Sequence, residues 1–319
     1  MKKRRKQNQK RKNRESTRHQ APDTRIIFLV FWCSGLWWLS VLDINKYLEK
    51  QSAKINKVLG SFLPGKGAHP STLHEAMRYA VLSGGKRIRP ILALEACRAV
   101  GGDTRKVLPA ACALELIHNY SLTHDDLPCM DNDKERRGRA ACHMKFGEDI
   151  ALLVGDALLT LAFKVLCSKN GVRSALDLER QMNAARLVAE AVGSEGMVGG
   201  QAVDMEFQDK DMDLATAEYI NVHKSGALIA VALRVGATLG GGSEKQVQAL
   251  YRYGKYVGLL FQIVDDIMDR QGYAKVIGVS EAKKEAEALL GKAKAEIAPF
   301  GRRTAALEAI ADFVLTRDK

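Results

Sequence analysis

Apolar residues recur at three- and four-residue steps through most of the chain after Leu42, and alternating β-branched runs are few. That period is the helical one, so the pattern predicts helices rather than strands. The segment DINKYLEKQSAKINKVLGSFLP, with Ile44, Leu48, Ile55 and Leu59 near helical spacing, reads as a first amphipathic helix. Further helices are predicted around His74–Ser83, Pro90–Val100, Thr104–His124, Glu148–Ser168, Leu178–Gly193, Leu214–Leu239, Ser243–Arg270 and Ser280–Ala298. Turn-forming clusters separate them: Leu63-Pro64-Gly65, Ser83-Gly84-Gly85, Gly101-Gly102, Gly199-Gly200 and Gly240-Gly241-Gly242. Several stretches, ALLVGDALLTLAFKVL from Ala151 among them, are apolar on more than one face, the mark of a centrally buried helix. The expectation is an all-α, single-domain helical bundle.

The text before Leu42 is different. Met1 to Arg25 holds eleven of the Lys and Arg residues against Glu15 and Asp23, so it supplies most of the net charge of +12. The rest of the chain is close to balanced, which removes the case for a nucleic-acid partner. Ile26 to Leu42 then carries no charge. It is short for a membrane span, and no small-residue cleavage site follows it. A signal anchor, a membrane-surface anchor and an extraneous segment from a mistaken start all stay open, so residues 1–41 are set apart from a folded unit over 42–319. Any membrane contact would run through residues 26–42. The six cysteines form no close pair such as CxxC, which argues against a zinc site or disulfide scaffold and for a reducing, cytoplasmic setting.

Two acidic clusters carry the candidate chemistry. HNYSLTHDDLPCMDNDKERRG places Asp125 and Asp126 at the end of a helix, with Asp131 and Asp133 just beyond and Arg136 and Arg137 after them. GLLFQIVDDIMD places Asp265, Asp266 and Asp269 on a helix whose other residues are apolar. Asp265 and Asp269 fall one turn apart on one face, with Asp266 on the flank. Carboxylates crowded on a buried face repel one another, and a hard divalent cation bridging them to substrate phosphates resolves the conflict. Cations complement them: Lys86, Arg87 and Arg89 lie in GGKRIRP, where Pro90 sits at a predicted helix start that favours an anion. His118 lies two turns before Asp125, roughly 10 Å by helix rise. Lys224 with Ser225, and Gln262 one turn before Asp266, complete the candidates.

HDDLPCMDNDKERRG and FQIVDDIMD resemble the two aspartate-rich motifs of the short-chain trans-isoprenyl diphosphate synthases. GGKRIRP, GEDIALLVGDALL, GMVGGQAVDM and HKSGALI look like other blocks of that family in its usual order, from about Leu42 to the last residues. The resemblance implies a bundle around a central cavity in which Asp125, Asp126, Asp131, Asp265, Asp266 and Asp269 hold about three magnesium ions on an allylic diphosphate. It assigns Lys86, Arg89, His118 and Arg137 to isopentenyl diphosphate, and Arg136, Lys224, Ser225 and Gln262 to the allylic side. It further implies a homodimer.

Product length follows from what blocks the cavity. Tyr120, five residues before Asp125, with the small Ser121 after it and the Pro128-Cys129 insertion, resembles the bacterial-type farnesyl diphosphate synthases. A fifteen-carbon product is therefore expected, with geranylgeranyl diphosphate synthase as the alternative and plain helix packing as the other reading of Tyr120. The chain departs from the family after Asp269, where RQGYAKVIGVSEAKKE follows at once and about twenty residues of a typical loop are missing. Weak turnover, or a non-catalytic partner subunit, is a rival reading on that ground. A terpene cyclase is disfavoured because the second motif is also aspartate-rich.

Overall fold

The computed structural model describes residues 42–168, 172–208 and 210–317. The basic head and all of the apolar segment except Leu42 lie outside the described residues. The compact unit runs Asp43–Lys319.

Helix α1, Ile44–Phe62, starts where the Asp43 side chain accepts from the Lys46 amide, and it buries Leu48, Ile55 and Leu59 as its spacing predicts. Fully burying such a side chain contributes about 1.5–3 kcal/mol. Three further helices follow, α2 over Ser71–Leu82, α3 over Ile88–Ala99 and α4 over Thr104–Asp125. A small antiparallel ribbon, Glu135–Arg136 against Arg139–Ala140, leads through α5, Cys142–Phe146, into α6, Glu148–Leu166. Then come α7, Ala175–Val192, and α8, Met197–Phe207. Helix α9, Leu214–Ile220, runs through a π-helical stretch, Asn221–Gly226, into α10, Ala227–Leu239. The long α11, Glu244–Asp269, opens with a capping box from Ser243 and Gln246. Helices α12, Gly272–Ile277, α13, Val279–Ile297, and α14, Ala305–Thr316, follow it. The all-α architecture is as the apolar period predicts.

Helix α10 lies between α3 and α11, and α4 runs along α6. Leu214–Leu239 has the length and apolarity of a membrane span, yet over half of it is buried within the protein, as befits a bundle centre. Helix α3 is likewise buried almost all round. Helix α6 corrects the sequence reading: Leu152 and Leu153 stay 48% and 49% exposed, so its second apolar face is turned outward rather than into the centre. The Gly199-Gly200 pair, read as a turn, lies inside α8 instead. A Cβ on Gly200 would come within 2.3 Å of the Lys224 amide nitrogen, so glycine there lets α8 close onto the π-helical stretch.

Candidate active site

A cavity of about 460 Å³ opens between α4, α8 and the π-helical stretch. Arg89, His118, Asp125, Lys224 and Ser225 line its polar part, while Tyr120, Met130, Met197 and Met205 line its apolar part. His118, Ser121 and Asp125 all reach it from α4, as the predicted two-turn spacing requires.

The first acidic strip divides in two. Asp126 is buried and taken up by Arg136, whose Nε donates to it at 2.8 Å and whose guanidinium also bonds Asp133. Arg136 is thereby committed to the protein. The Asp125 carboxylate receives no hydrogen bond from any described group, and burial above all pushes it up to about 6, with Asp131 adding to the rise and Lys224 opposing it. The exposed Asp131 is tied alongside, its amide bonding the Asp125 carbonyl at 2.9 Å. A desolvated carboxylate lacking a donor, with a second carboxylate beside it, fits a hard divalent ion.

The second strip is already engaged. Asp266, 8% exposed, accepts from the Asn221 amide at 3.1 Å and from the Tyr273 backbone at 2.9 Å, and Gln262 leans toward it. Gly272, at φ +48°, would carry a Cβ 2.7 Å from the Asp266 carboxylate, so the two-residue connection between α11 and α12 is folded around that side chain. Asp265 bonds Arg317 at 2.6 Å, and the guanidinium lies over the Phe261 ring at 3.7 Å. Asp269 is exposed. Among the described residues no group of three His, Cys, Asp or Glu side chains is gathered to hold a metal. Asp265 and Asp266 make internal bonds, while the Asp125 carboxylate, with Asp131 beside it, is left open to an ion. Replacing Asp266 by Asn turns an NH₂ toward donors and is expected to lower stability by about 1–3 kcal/mol, read from urea denaturation.

A cationic pocket adjoins the cavity. Arg89 is half-buried with its enclosed Nε lacking a partner, and desolvation lowers its pKa, with Arg137 adding and Glu115 and Asp265 opposing. Burial also drives His118 well below its usual range, with Arg89 and Arg137 reinforcing, so its imidazole is neutral. Arg137, at φ +56°, bonds the Gly84 carbonyl, and a Cβ on Gly85 would strike its guanidinium at 2.8 Å. The glycine loop and the residue after the first strip are thus brought together. Lys86 lies 5.1 Å from the Phe313 ring centroid, near Arg317 and Asp265. A desolvated guanidinium with an orphaned donor is an anion site.

Two side chains escaped the sequence reading. Asp204 bonds Lys224 at 2.5 Å and so aims that ammonium. Gln201 lines the cavity with its Nε2 buried and unpartnered. Both lie in GMVGGQAVDM, whose one-turn Gln-to-Asp spacing was the available signal.

Residues 70–283 match the family model described as polyprenyl synthetase. The heterodimeric geranylgeranyl pyrophosphate synthase large subunit 1, chloroplastic, of Arabidopsis thaliana is 39% identical over 301 residues, covering 87% of this chain and 80% of its own. A dimethylallyltranstransferase of Fischerella ambigua is 36% identical, covering 87% of this chain and 85% of its own. Among solved structures, an FPP/GFPP synthase from Zymomonas mobilis superposes with a TM-score of 0.81 at 35% identity, covering 86% of this chain and 100% of that one. A geranyltransferase from Legionella pneumophila does so at 0.79 and 32%, covering 86% and 96%. The ordered motifs, the helical cavity and these similarities together place the chain: it is a prenyltransferase belonging to the polyprenyl synthetase family, on its short-chain trans-isoprenyl side.

Proposed function

We propose that the protein condenses isopentenyl diphosphate with dimethylallyl and then geranyl diphosphate to give farnesyl diphosphate, with magnesium as cofactor. The observation that carries this reading is one cavity presenting Asp125 and Lys224 at a polar end, the half-buried Arg89 and neutral His118 beside them, and apolar walls beyond. Asp125 and Asp131 would hold the ion, and when bound it neutralises the diphosphate so that it leaves with its electron pair. Lys224, aimed by Asp204, meets the same diphosphate; Arg89, Arg137, Lys86 and His118 orient isopentenyl diphosphate. Methionine and Tyr120 walls exclude water from the allylic cation until the alkene attacks it, and pyrophosphate takes the proton. Relatives named geranylgeranyl synthases favour a twenty-carbon product instead. Against that, Tyr120 is 7% exposed and its ring lines the cavity five residues before Asp125 on α4.

Turnover should be slow. The connection after Asp269 is short. The match to the Arabidopsis large subunit extends over 301 positions yet takes up 87% of 319 residues, which is fewer, so gaps open in this chain. Both support a lost loop. Purified protein with magnesium, dimethylallyl and isopentenyl diphosphates is expected to form fifteen-carbon product slowly. A rate equal to an intact relative would show the loop to be dispensable, and no product at all would favour a non-catalytic subunit. Tyr120→Ala is expected to lengthen the product, and unchanged length by mass spectrometry would remove Tyr120 as the floor.

A dimer is inferred from the exposed Met144, Leu152 and Leu153 on α5 and α6. Sedimentation at micromolar concentration tests it, with a monomer as the contrary result. The free cysteines 97, 112, 129, 142 and 167 agree with a cytoplasmic location.

A further inference from the structure

Tyr120 can limit chain length only if its ring is held in place, and its hydroxyl makes no hydrogen bond with any described residue. Its ring contact is His124, one turn further along α4 on the same face, at 5.8 Å between centroids and 82° between planes. That is the edge-to-face arrangement that favours a fixed mutual orientation. Both rings line the cavity.

His124 is itself fixed from behind. Its Nε2 lies 2.9 Å from the Leu152 carbonyl on α6, and since a carbonyl only accepts, Nε2 carries the hydrogen. The imidazole sits in a notch that exists because position 155 is glycine: a Cβ there would stand 1.9 Å from Nε2 and 2.3 Å from Cδ2. Gly155 lies inside α6, where glycine costs about 1 kcal/mol relative to alanine, and the close approach of the imidazole accounts for it.

We propose that His124, seated in the Gly155 notch and bonded to Leu152, is a positioning residue that holds the Tyr120 ring across the cavity and so acts as a second determinant of product length. The inference rests on the prenyltransferase reading with Tyr120 as the floor. Removing the imidazole frees the Tyr120 ring to rotate aside. Adding a methyl at 155 drives the imidazole out of the notch toward the cavity it lines, and the space for the growing chain shrinks.

The test measures product distributions by mass spectrometry for wild type, Tyr120→Ala, His124→Ala, Gly155→Ala and the His124→Ala/Gly155→Ala double variant, with thermal melts to show that each is folded. His124→Ala is expected to raise the ratio of longer to fifteen-carbon product about three- to tenfold, the scale of an aromatic pair. Gly155→Ala is expected to shift the distribution toward shorter product in the wild-type background and to have no effect once residue 124 is alanine. A purely structural role for Gly155 would act alike in both backgrounds. If Tyr120→Ala lengthens the product and His124→Ala does not, or if Gly155→Ala acts equally in both backgrounds, the proposal is overturned while the floor reading stands. If Tyr120→Ala changes nothing, the floor reading fails and takes this inference with it.

Discussion

Replacing Asp125 by Asn is expected to lower kcat by about 10²–10³-fold, the scale set by removing one preorganised stabiliser of transition-state charge. The same substitution should make the protein more stable at neutral pH. The two effects have one cause. The Asp125 carboxyl is pushed up to about 6 because burial penalises its charge and Asp131 repels it, with Lys224 recovering only part. Between the ordinary carboxylate pKa near 4 and this raised value, the folded chain holds a proton that the unfolded chain releases. The stabilising contribution is therefore complete below about pH 4 and lost as pH rises through about 6, leaving a destabilised fold at pH 7. Asparagine does not titrate, so its advantage should be on the order of 2 kcal/mol at pH 7–8 and should vanish near pH 4. Urea denaturation at both pH values, beside steady-state kinetics, checks this. Manganese affinity of the wild type should also climb across pH 6 as the proton stops competing. A variant that keeps full turnover would show that Asp125 lies outside the chemistry.

Arg87→Ala is expected to cost about 3–5 kcal/mol, the usual consequence of stripping one partner from a buried ion pair. Arg87 and Glu115 meet at 2.5 Å with side chains 0% and 2% exposed. Arg87 also donates to Asn56 at 2.8 Å and to the Val81 carbonyl, tying α1, α2, α3 and α4 together from one guanidinium. Without it, the one side-chain hydrogen bond left to the Glu115 carboxylate among the described residues is the 3.3 Å donation from Asn119, with Arg89 and Arg137 acting only at longer range. Arg89→Ala should behave in the opposite way. Its guanidinium has an orphaned Nε and burial disfavours its charge, so alanine relieves desolvation while removing the anion site. A large fall in the urea midpoint for the first variant, against lost activity with an intact midpoint for the second, is the expected pair of results. Equal midpoints would dissolve the distinction.

That contrast shows what the sequence could and could not convey. GGKRIRP announces three cations, but which of them turns inward depends on Glu115, on the far side of α3, and no local spacing encodes that. Most helices were legible because each repeats its apolar period over many residues, but the short α5 and α12 and the later α14 were not among those predicted. Helix α8 was not, because Gly199-Gly200 imitates a turn when its actual part is to admit the Lys224 backbone. His118 and Asp125 were found correctly on one face, since helix geometry alone places them. Asp265 and Asp266 were read from helical spacing as carboxylates facing a divalent cation, and their hydrogen-bond partners were not foreseen. Their partners, Asn221, the Tyr273 amide and Arg317, are remote in sequence or belong to the main chain. Outward-facing leucines of α6 misled for a similar reason: hydrophobicity says that a face seeks cover, not whether its own chain supplies it.

The stretch Asn221–Gly226, wound with i→i+5 bonds, accommodates one residue more than an α-helix would across the same span. Excising a single residue there would let the coil tighten to ordinary pitch while α9 and α10 keep their mutual phase. Lys224 and Ser225, riding on the surplus turn, would then swing to new bearings. The architecture has slack at the one place where the chemistry has none, so a deletion harmless to folding would silence the protein.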